Sequence, residues 1–522
     1  MRNFLRQRNA DDLPLLNAVI RMEPEIVVLD ALGFSLQSHL FRQEDIFPLV
    51  GDALRKIEPQ IAEAYTELRI AAEERVMVEA AETNTCATIA DVATVLSDLF
   101  ALHGLDPDLA DTAISAELEF VQMMWRSNPE ALSLVEGLHR ARVPVAHIAD
   151  SHLPRDLIAK MLHGESLPSR SLFVSSHEGV SSRDAQLIAR IVQRTGVAPE
   201  EILYLAPDLP GQEIAITAGC MFVAAPEPSR DPVATLQPSA SPRTGLESLA
   251  LGLAARRLAH TAEHEPDANA TAYTSLGPLL SGFGCWLGEM IDVQMFDHVV
   301  FCGPGSGLLR EVLLEVKPQL LLQRVTVVSA DDPEADNPTL EQLAASDNAR
   351  VLVAGLCTGP NADQIRLAGR LRKGGSHVES AAAYSTGRLP TPLTHNHYWV
   401  DPASAETHVR FRARHHASLV QLLGNGTKPG ELQHSIEAGV LGFAADLARV
   451  TGLVGVRTSS NLAEPAYRLL NDPSSAECTA FAEVAPVDAS RTLLIPRAAR
   501  IPSPRSIQKR DEGARSDPRT SV

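Results

Sequence analysis

The first residue placed to do chemistry is a carboxylate at the end of a short β-branched run. Ile26-Val27-Val28-Leu29 ends on Asp30, and Gly33 follows three residues later. Such a run reads as a buried parallel strand delivering its last side chain to the carboxyl edge of an open α/β sheet, where ligands bind. An Asp there is also a common cap for the next turn. Two other groups carry weaker signals. His395-Asn396-His397 sets two imidazoles on one face of a strand, a chelating spacing with no third ligand nearby. Arg410, Arg412 and Arg414, followed by His415 and His416, form a basic patch whose default reading is a solvated face.

The elements that must position Asp30 come next. Residues 43–140 carry helical signals almost throughout: Glu44–Lys56, Gln60–Ala81, Thr88–His103, Asp108–Ser127 and Pro129–Arg142. Thr88 with Asp91 three residues on is a capping-box variant. Further strands are expected at Val143–Asp150, Ser171–Ser176, Ile202–Leu205 and Met221–Ala224, with helices between them. Strands alternating with helices at this spacing predict a parallel, doubly wound sheet with a helical block inserted after the first strand. Residues 226–245 are rich in Pro and Ser and read as a linker. A second α/β domain spans 246–497, with strands at His298–Cys302, Arg324–Ser329 and Arg350–Gly355. Residues 1–23 read as a loosely held lead-in and 498–522 as a polar, disordered tail.

Composition sets the bounds on function. A chain of 522 residues exceeds one core. The formal net charge of −19 argues against a general binder of nucleic acid or acidic membrane. No apolar run reaches the length of a membrane span, and the first residues lack an apolar signal core, so a cytoplasmic location is expected. The six cysteines show no CxxC spacing and suit reduced thiols better than disulfides or a zinc site. Trp125, Trp286 and Trp399 read as core or interface residues.

Several stretches, taken in order, carry a resemblance. They are Asp30-Ala-Leu-Gly33, Arg69-Ile-Ala-Ala-Glu-Glu74, Thr88-Ile-Ala-Asp-Val92, Ala149-Asp-Ser-His-Leu-Pro154, Phe173-Val-Ser-Ser-His-Glu-Gly179 and Val197-Ala-Pro-Glu-Glu-Ile-Leu203. Residues 24–225 resemble a haloacid-dehalogenase-like (HAD-like) domain: a Rossmann-like core with an inserted helical cap at about 43–140. Together with Leu276–Leu287 and Ile436–Phe443, the chain resembles the bacterial HAD-like proteins found with glycosyltransferases in surface-polysaccharide loci. The resemblance implies attack by Asp30 on a phosphoryl group, with Mg²⁺ holding both. It implies as partners a phosphorylated small molecule and glycosyltransferases or other enzymes of polysaccharide synthesis.

The carry-over is uneven. Where such phosphatases have a second Asp as general acid, this chain has Leu32, which cannot protonate a leaving group. The hydroxyl residue expected after the second strand is Ala149, and Ser151 is the substitute if the strand continues. The expected Lys is Ser182, with Arg183 beside it as a phosphate holder of different geometry. The fourth motif falls either on Ala206-Pro207 or, shifted by one, on Asp208 with Glu213 as the second acid. The Glu117-x-Glu119 pair lines the cleft between cap and core on one reading and a solvated helix face on the other.

In the second domain His298–Leu309 reads as a strand, a glycine-rich turn and a helix, with Asp331 and Asp332 closing the next strand. This resembles the first motif of S-adenosylmethionine-dependent methyltransferases, in which Gly303, Gly305 and Gly307 would approach the cofactor and Asp331 its ribose. A tight turn needs glycine in any case. Two functions stay open. One is a catalytically impaired binding or regulatory relative tied to polysaccharide synthesis, which the eroded motifs favour. The other is a divergent Mg²⁺-dependent phosphatase using Asp30, Ser151 and Arg183, with Asp208 and Glu213 on the metal.

Overall fold

The computed structural model describes residues 14–55, 57–83, 85–168, 170–180, 185–207, 209–225, 244–261, 267–303, 305–321, 326–330, 338–344, 348–358, 363–385, 396–399, 419–420, 422–423, 430–451, 460–471, 477 and 480–481. The linker at 226–243 and the tail at 498–522 lie outside them, as do His395 and the basic patch at 410–416. The chain forms two compact units, Met1–Ala259 with Arg449–Arg457, and His260–Ala448 with Thr458–Val522. Among the described residues no helix is long and apolar enough to cross a membrane.

The first unit is built on five parallel strands: β1 (Ile26–Asp30), β4 (Val145–Ala149), β5 (Leu172–Val174), β6 (Ile202–Ala206) and β7 (Met221–Ala224). They run in the order β5-β4-β1-β6-β7, which puts β1 in the centre with β4 and β6 as its neighbours. Alternate residues fill one face: Ile26 and Val28, Ala146 and Ile148, Phe173, and Ile202 and Tyr204 join Leu187, Ile188 and Ile191 of a covering helix in one apolar cluster. The opposite face is covered as well, so Val27, Leu29, Leu203 and Leu205 are buried too. This explains why β1 reads as an unbroken apolar run. The parallel sheet and the helical insertion after the strand that carries Asp30 are the arrangement the sequence predicts.

The insertion enters and leaves through a two-stranded antiparallel ribbon, β2 (Leu36–Ser38) and β3 (Trp125–Ser127), which pairs Leu36 with Ser127, Gln37 with Arg126 and Ser38 with Trp125. Between these strands lie α2 (Ile46–Leu54), α3 (Pro59–Thr83), α4 (Ile89–Leu102) and α5 (Leu109–Met124). The Thr88–Asp91 capping box at the start of α4 is formed in both directions. The helix Pro129–Arg140 lies beyond the ribbon, so the ribbon rather than residue 140 bounds the insertion. Residues 14–21 are not a loose lead-in. They form α1 (Pro14–Arg21), which buries Leu16 and Val19 and sets Leu16 directly against Gly137, leaving no room for a side chain there.

The second unit has its own parallel sheet, in the order β12-β11-β10-β8-β9: β8 (His298–Cys302), β9 (Thr326–Ala330), β10 (Arg350–Thr358), β11 (His377–Ser385) and β12 (Asn396–Tyr398). The strand at 377–385 is not evident in the sequence, because His377, Glu379 and Ser380 interrupt its apolar pattern. Val300, Cys302, Val351, Val353 and Val378 share a core with Leu367, Ala368 and Leu371 of the helix Asp363–Lys373.

Candidate functional site

Asp30 stands at the carboxyl end of the central strand, half-buried, and its Oδ1 accepts hydrogen bonds from the backbone of Leu32 at 3.0 Å and Gly33 at 2.8 Å. The chain then makes one wide helical turn, Ala31–Ser35, before entering β2. Gly33 is needed here, because a Cβ at this position would sit 2.6 Å from Asp30 Oδ2 and 3.3 Å from Pro207 Cδ. Asp30 therefore caps its own loop while facing a cavity of about 660 Å³ between core and insertion. That is within the range of small-molecule sites. Leu32, Gly33, Asp150, Ser151, His152 and Ser175 line the core side of this cavity, and Arg69, Glu73, Met77, Cys86 and Glu117 the cap side.

Strand β4 stops at Ala149, so Ser151 does not continue its alternation; it sits in the following loop. Its Oγ accepts the Leu153 N–H at 3.1 Å. Its backbone N–H donates to Ser175 Oγ at 2.8 Å, and that hydroxyl donates to the Ser151 carbonyl at 3.2 Å. Ser175 opens a short helix where the sequence predicted that the third strand would continue to Ser176. Of the other expected residues, Arg183 and Asp208 lie outside the described residues. Glu213 is exposed, within the helix Leu209–Ala218, and is not part of the cavity lining. Among the described residues no three His, Cys, Asp or Glu side chains converge as a metal-ligand set.

The cap supplies a buried ion-pair cluster. Arg69 of α3, wholly buried, makes a bidentate pair with Glu117 of α5, Nε to Oε2 and Nη2 to Oε1, both at 2.8 Å. Its Nη1 donates to Glu73 Oε2 at 2.8 Å, Tyr65 donates to Glu117 Oε2 at 2.8 Å, and the guanidinium lies 4.6 Å above the Phe47 ring. Burial alone would lower the Arg69 pKa, but Glu117 and Glu73 outweigh it and hold the cation. Glu117 thus faces the cleft while Glu119 is exposed, which splits the expected pair.

His152 brings the core loop to this cluster, with Nε2 3.5 Å from Arg69 Nη2 and Nδ1 3.8 Å from Glu73 Oε1. Burial keeps its imidazole below the ordinary range; Glu73 and Glu117 oppose this and Arg69 reinforces it. Two further contacts close the cleft. The Ile89 N–H donates to the His152 carbonyl at 2.9 Å, and Cys86 meets Ser175. Burial pushes the Cys86 thiol up, Asp150 and Asp91 add to this, and the bond with Ser175 opposes it. Arg69, Glu73, His152 and Ser175 are not among the site residues the sequence predicts. Their signals are an Arg–Glu pair at i, i+4 on a helix and polar residues in the turns after two strands.

In the second unit Gly303 (φ 84°) and Gly305 (φ 75°) make the strand-to-helix turn after β8, as predicted. The helix already starts at Ser306, so Gly307 belongs to its first turn and not to the loop. Asp331 lies outside the described residues.

No family model matches the chain, and no curated protein does. Solved structures that it resembles include a dehalogenase (18% identity, covering 39% of this chain and 87% of that one, TM-score 0.26). They also include the L-2-haloacid dehalogenase from Xanthobacter autotrophicus (16% identity, 46% and 98%, TM-score 0.31) and a predicted phosphoglycolate phosphatase from Haemophilus somnus 129PT (12% identity, 39% and 85%, TM-score 0.28). The fold assignment rests on the strand order and register of the first unit.

Proposed function

We propose that the first unit is a catalytically impaired HAD-like module that binds a ligand in its cap–core cleft. In this reading it serves as a binding or regulatory partner for enzymes of cell-surface polysaccharide synthesis. The observation that carries the reading is Leu32. It lines the cavity beside Asp30, two residues on, where a phosphatase of this type places its general acid, and only its backbone N–H reaches the carboxylate. Acid–base assistance is worth about a hundred- to ten-thousand-fold in rate, and a leucine supplies none. Among the described residues lining the cleft, Arg69 is already committed to Glu117 and Glu73, so it holds the cap together and is not spare for a phosphoryl oxygen. The tie to polysaccharide enzymes comes from the sequence resemblance alone.

A second reading, a divergent Mg²⁺-dependent phosphatase acting on a phosphorylated sugar or glycan intermediate, is favoured by one observation. Asp30 faces a cavity of ligand size from the central strand's carboxyl end. Its metal would be held by Asp30 with Asp208. Phosphate release from a panel of sugar phosphates in the presence of Mg²⁺ separates the two. The impaired module gives no release above background, and Asp30→Asn changes nothing. Mg²⁺-dependent release that disappears in both Asp30→Asn and Asp208→Asn establishes the hydrolase instead.

A further inference from the structure

The helix Gly245–Thr261 follows the Pro/Ser-rich stretch, yet its first half packs on the entry to the cap. Its contacts fall in register. Gly245 sits against Leu49 of α2, where a Cβ would lie 2.9 Å from the Leu49 nitrogen. Ser248 is fully buried. Its Oγ donates to Asp45 Oδ2 at 2.6 Å, and the Phe41 N–H donates to both its Oγ (3.0 Å) and its carbonyl (3.1 Å). Gly252 lies so close to the chain leaving β2 that a Cβ would overlap the His39 carbonyl oxygen and stand 2.8 Å from the Leu40 carbonyl carbon. Arg256 Nη1 donates to the Gln37 carbonyl at 3.1 Å.

Positions 245, 248, 252 and 256 are spaced by three and four, so they form one helix face. As that face advances, its partners step backwards from 49 through 45–41 and 40–39 to 37. Helix and hinge segment therefore run antiparallel in direct contact. Small residues at 245, 248 and 252 permit the approach; nothing larger fits at 252 without displacing backbone.

That hinge segment is the crossing between core and cap. Its partner strand β3 is fixed separately, because Ser127 N–H and Oγ both donate to Glu165 Oε2 at 3.0 Å. We propose that the helix Gly245–Thr261 is a strap on the cap hinge, so that opening the cleft over Asp30 requires this helix to release residues 37–49. The strap has three polar holds, at Ser248–Asp45, Phe41–Ser248 and Arg256–Gln37, and one steric seat, at Gly252. It does not depend on whether the cleft is catalytic or only binds.

Hydrogen exchange on the full chain, read by peptide, tests this. Gly252→Val removes the seat, and Ser248→Ala removes the hydroxyl that accepts from Phe41 and donates to Asp45. The expected result is exchange about tenfold faster, the scale of one or two lost hydrogen bonds, in peptides covering 37–45. Peptides of β1, β4 and β6 keep their protection. If Gly252→Val does not fold, Ser248→Ala and Arg256→Ala carry the test with the same expectation. Loss of protection in 245–256 with unchanged exchange at 37–45 overturns the proposal, because the helix then leaves without the hinge responding.

Discussion

Arg69 and Glu117, from two different cap helices, meet as a fork-to-fork pair with both bonds at 2.8 Å and with no solvent on the arginine. A pair in this setting is costly to break, since either survivor is a buried charge without its partner. Glu117→Gln is expected to destabilise the cap by about 3 kcal/mol or more. Arg69→Met combined with Glu117→Leu is expected to cost far less than either change alone. Hydrogen exchange of peptides from α3 and α5 reads both. Equal losses in the single and double variants would show that the helices are held by other contacts.

Asp30 has a structural duty separable from any chemistry. Its Oδ1 caps the amides of Leu32 and Gly33. Asp30→Ala removes the acceptor and is expected to cost about 1–2 kcal/mol, the usual worth of such a cap. Asp30→Asn keeps an acceptor oxygen and is expected to cost less than half as much. Denaturant unfolding of the two variants checks the order; a larger loss for Asn than for Ala contradicts it.

Most of this architecture is legible in the sequence for a simple reason. Buried parallel strands such as 26–29 and 202–206 are continuous apolar runs, and the cap helix α4 has a clear start signal at Thr88. The site is less legible. Ser151 was read by strand alternation, which fails because β4 stops two residues earlier and a loop hydrogen bond to Leu153 sets the hydroxyl. The Arg69–Glu117 pair joins residues 48 apart and leaves no periodic trace on a helix whose faces are similarly mixed. The strap at 245–256 reads as the start of a new domain, because nothing local announces that Gly252 meets His39.

His147 on β4 is wholly buried, and burial lowers its pKa to about 4 from 6.5, weakly opposed by the Pro168 carbonyl as acceptor for the imidazole. Between those values the unfolded chain binds a proton that the folded chain does not. Its contribution is therefore full above pH 6.5 and is lost as pH falls from 6.5 towards 4. The slope is about 1.4 kcal/mol per pH unit inside the window. His39, lowered to about 2 by burial and then by Arg256 and Arg126, acts with the same sign. His147→Leu is expected to reduce the slope of stability between pH 5 and 6 by about one such increment. Urea unfolding at half-unit pH steps measures it, and an unchanged slope would mean that His147 protonates in the folded state.

Two glycines that the sequence places in one turn, Gly305 and Gly307, differ in backbone and surroundings. Gly305 has φ 75°, caps the helix Ser306–Val316, and would bring a Cβ within 3.3 Å of Leu423 Cδ1. Gly305→Ala therefore combines left-handed strain with crowding and is expected to cost about 1–3 kcal/mol. Gly307 lies one residue inside the helix, with helical backbone and no atom within 4 Å of an added Cβ. Gly307→Ala is expected to be stabilising by up to about 1 kcal/mol, the helix-propensity difference between the two residues. Trp286 and Trp399, both within the second unit, report its unfolding by fluorescence in a Trp125→Phe background. Opposite shifts of the denaturation midpoint are the expected outcome. A loss at Gly307 as large as at Gly305 would extend the special turn to 307, as a cofactor-binding loop of the Gly-x-Gly-x-Gly kind requires.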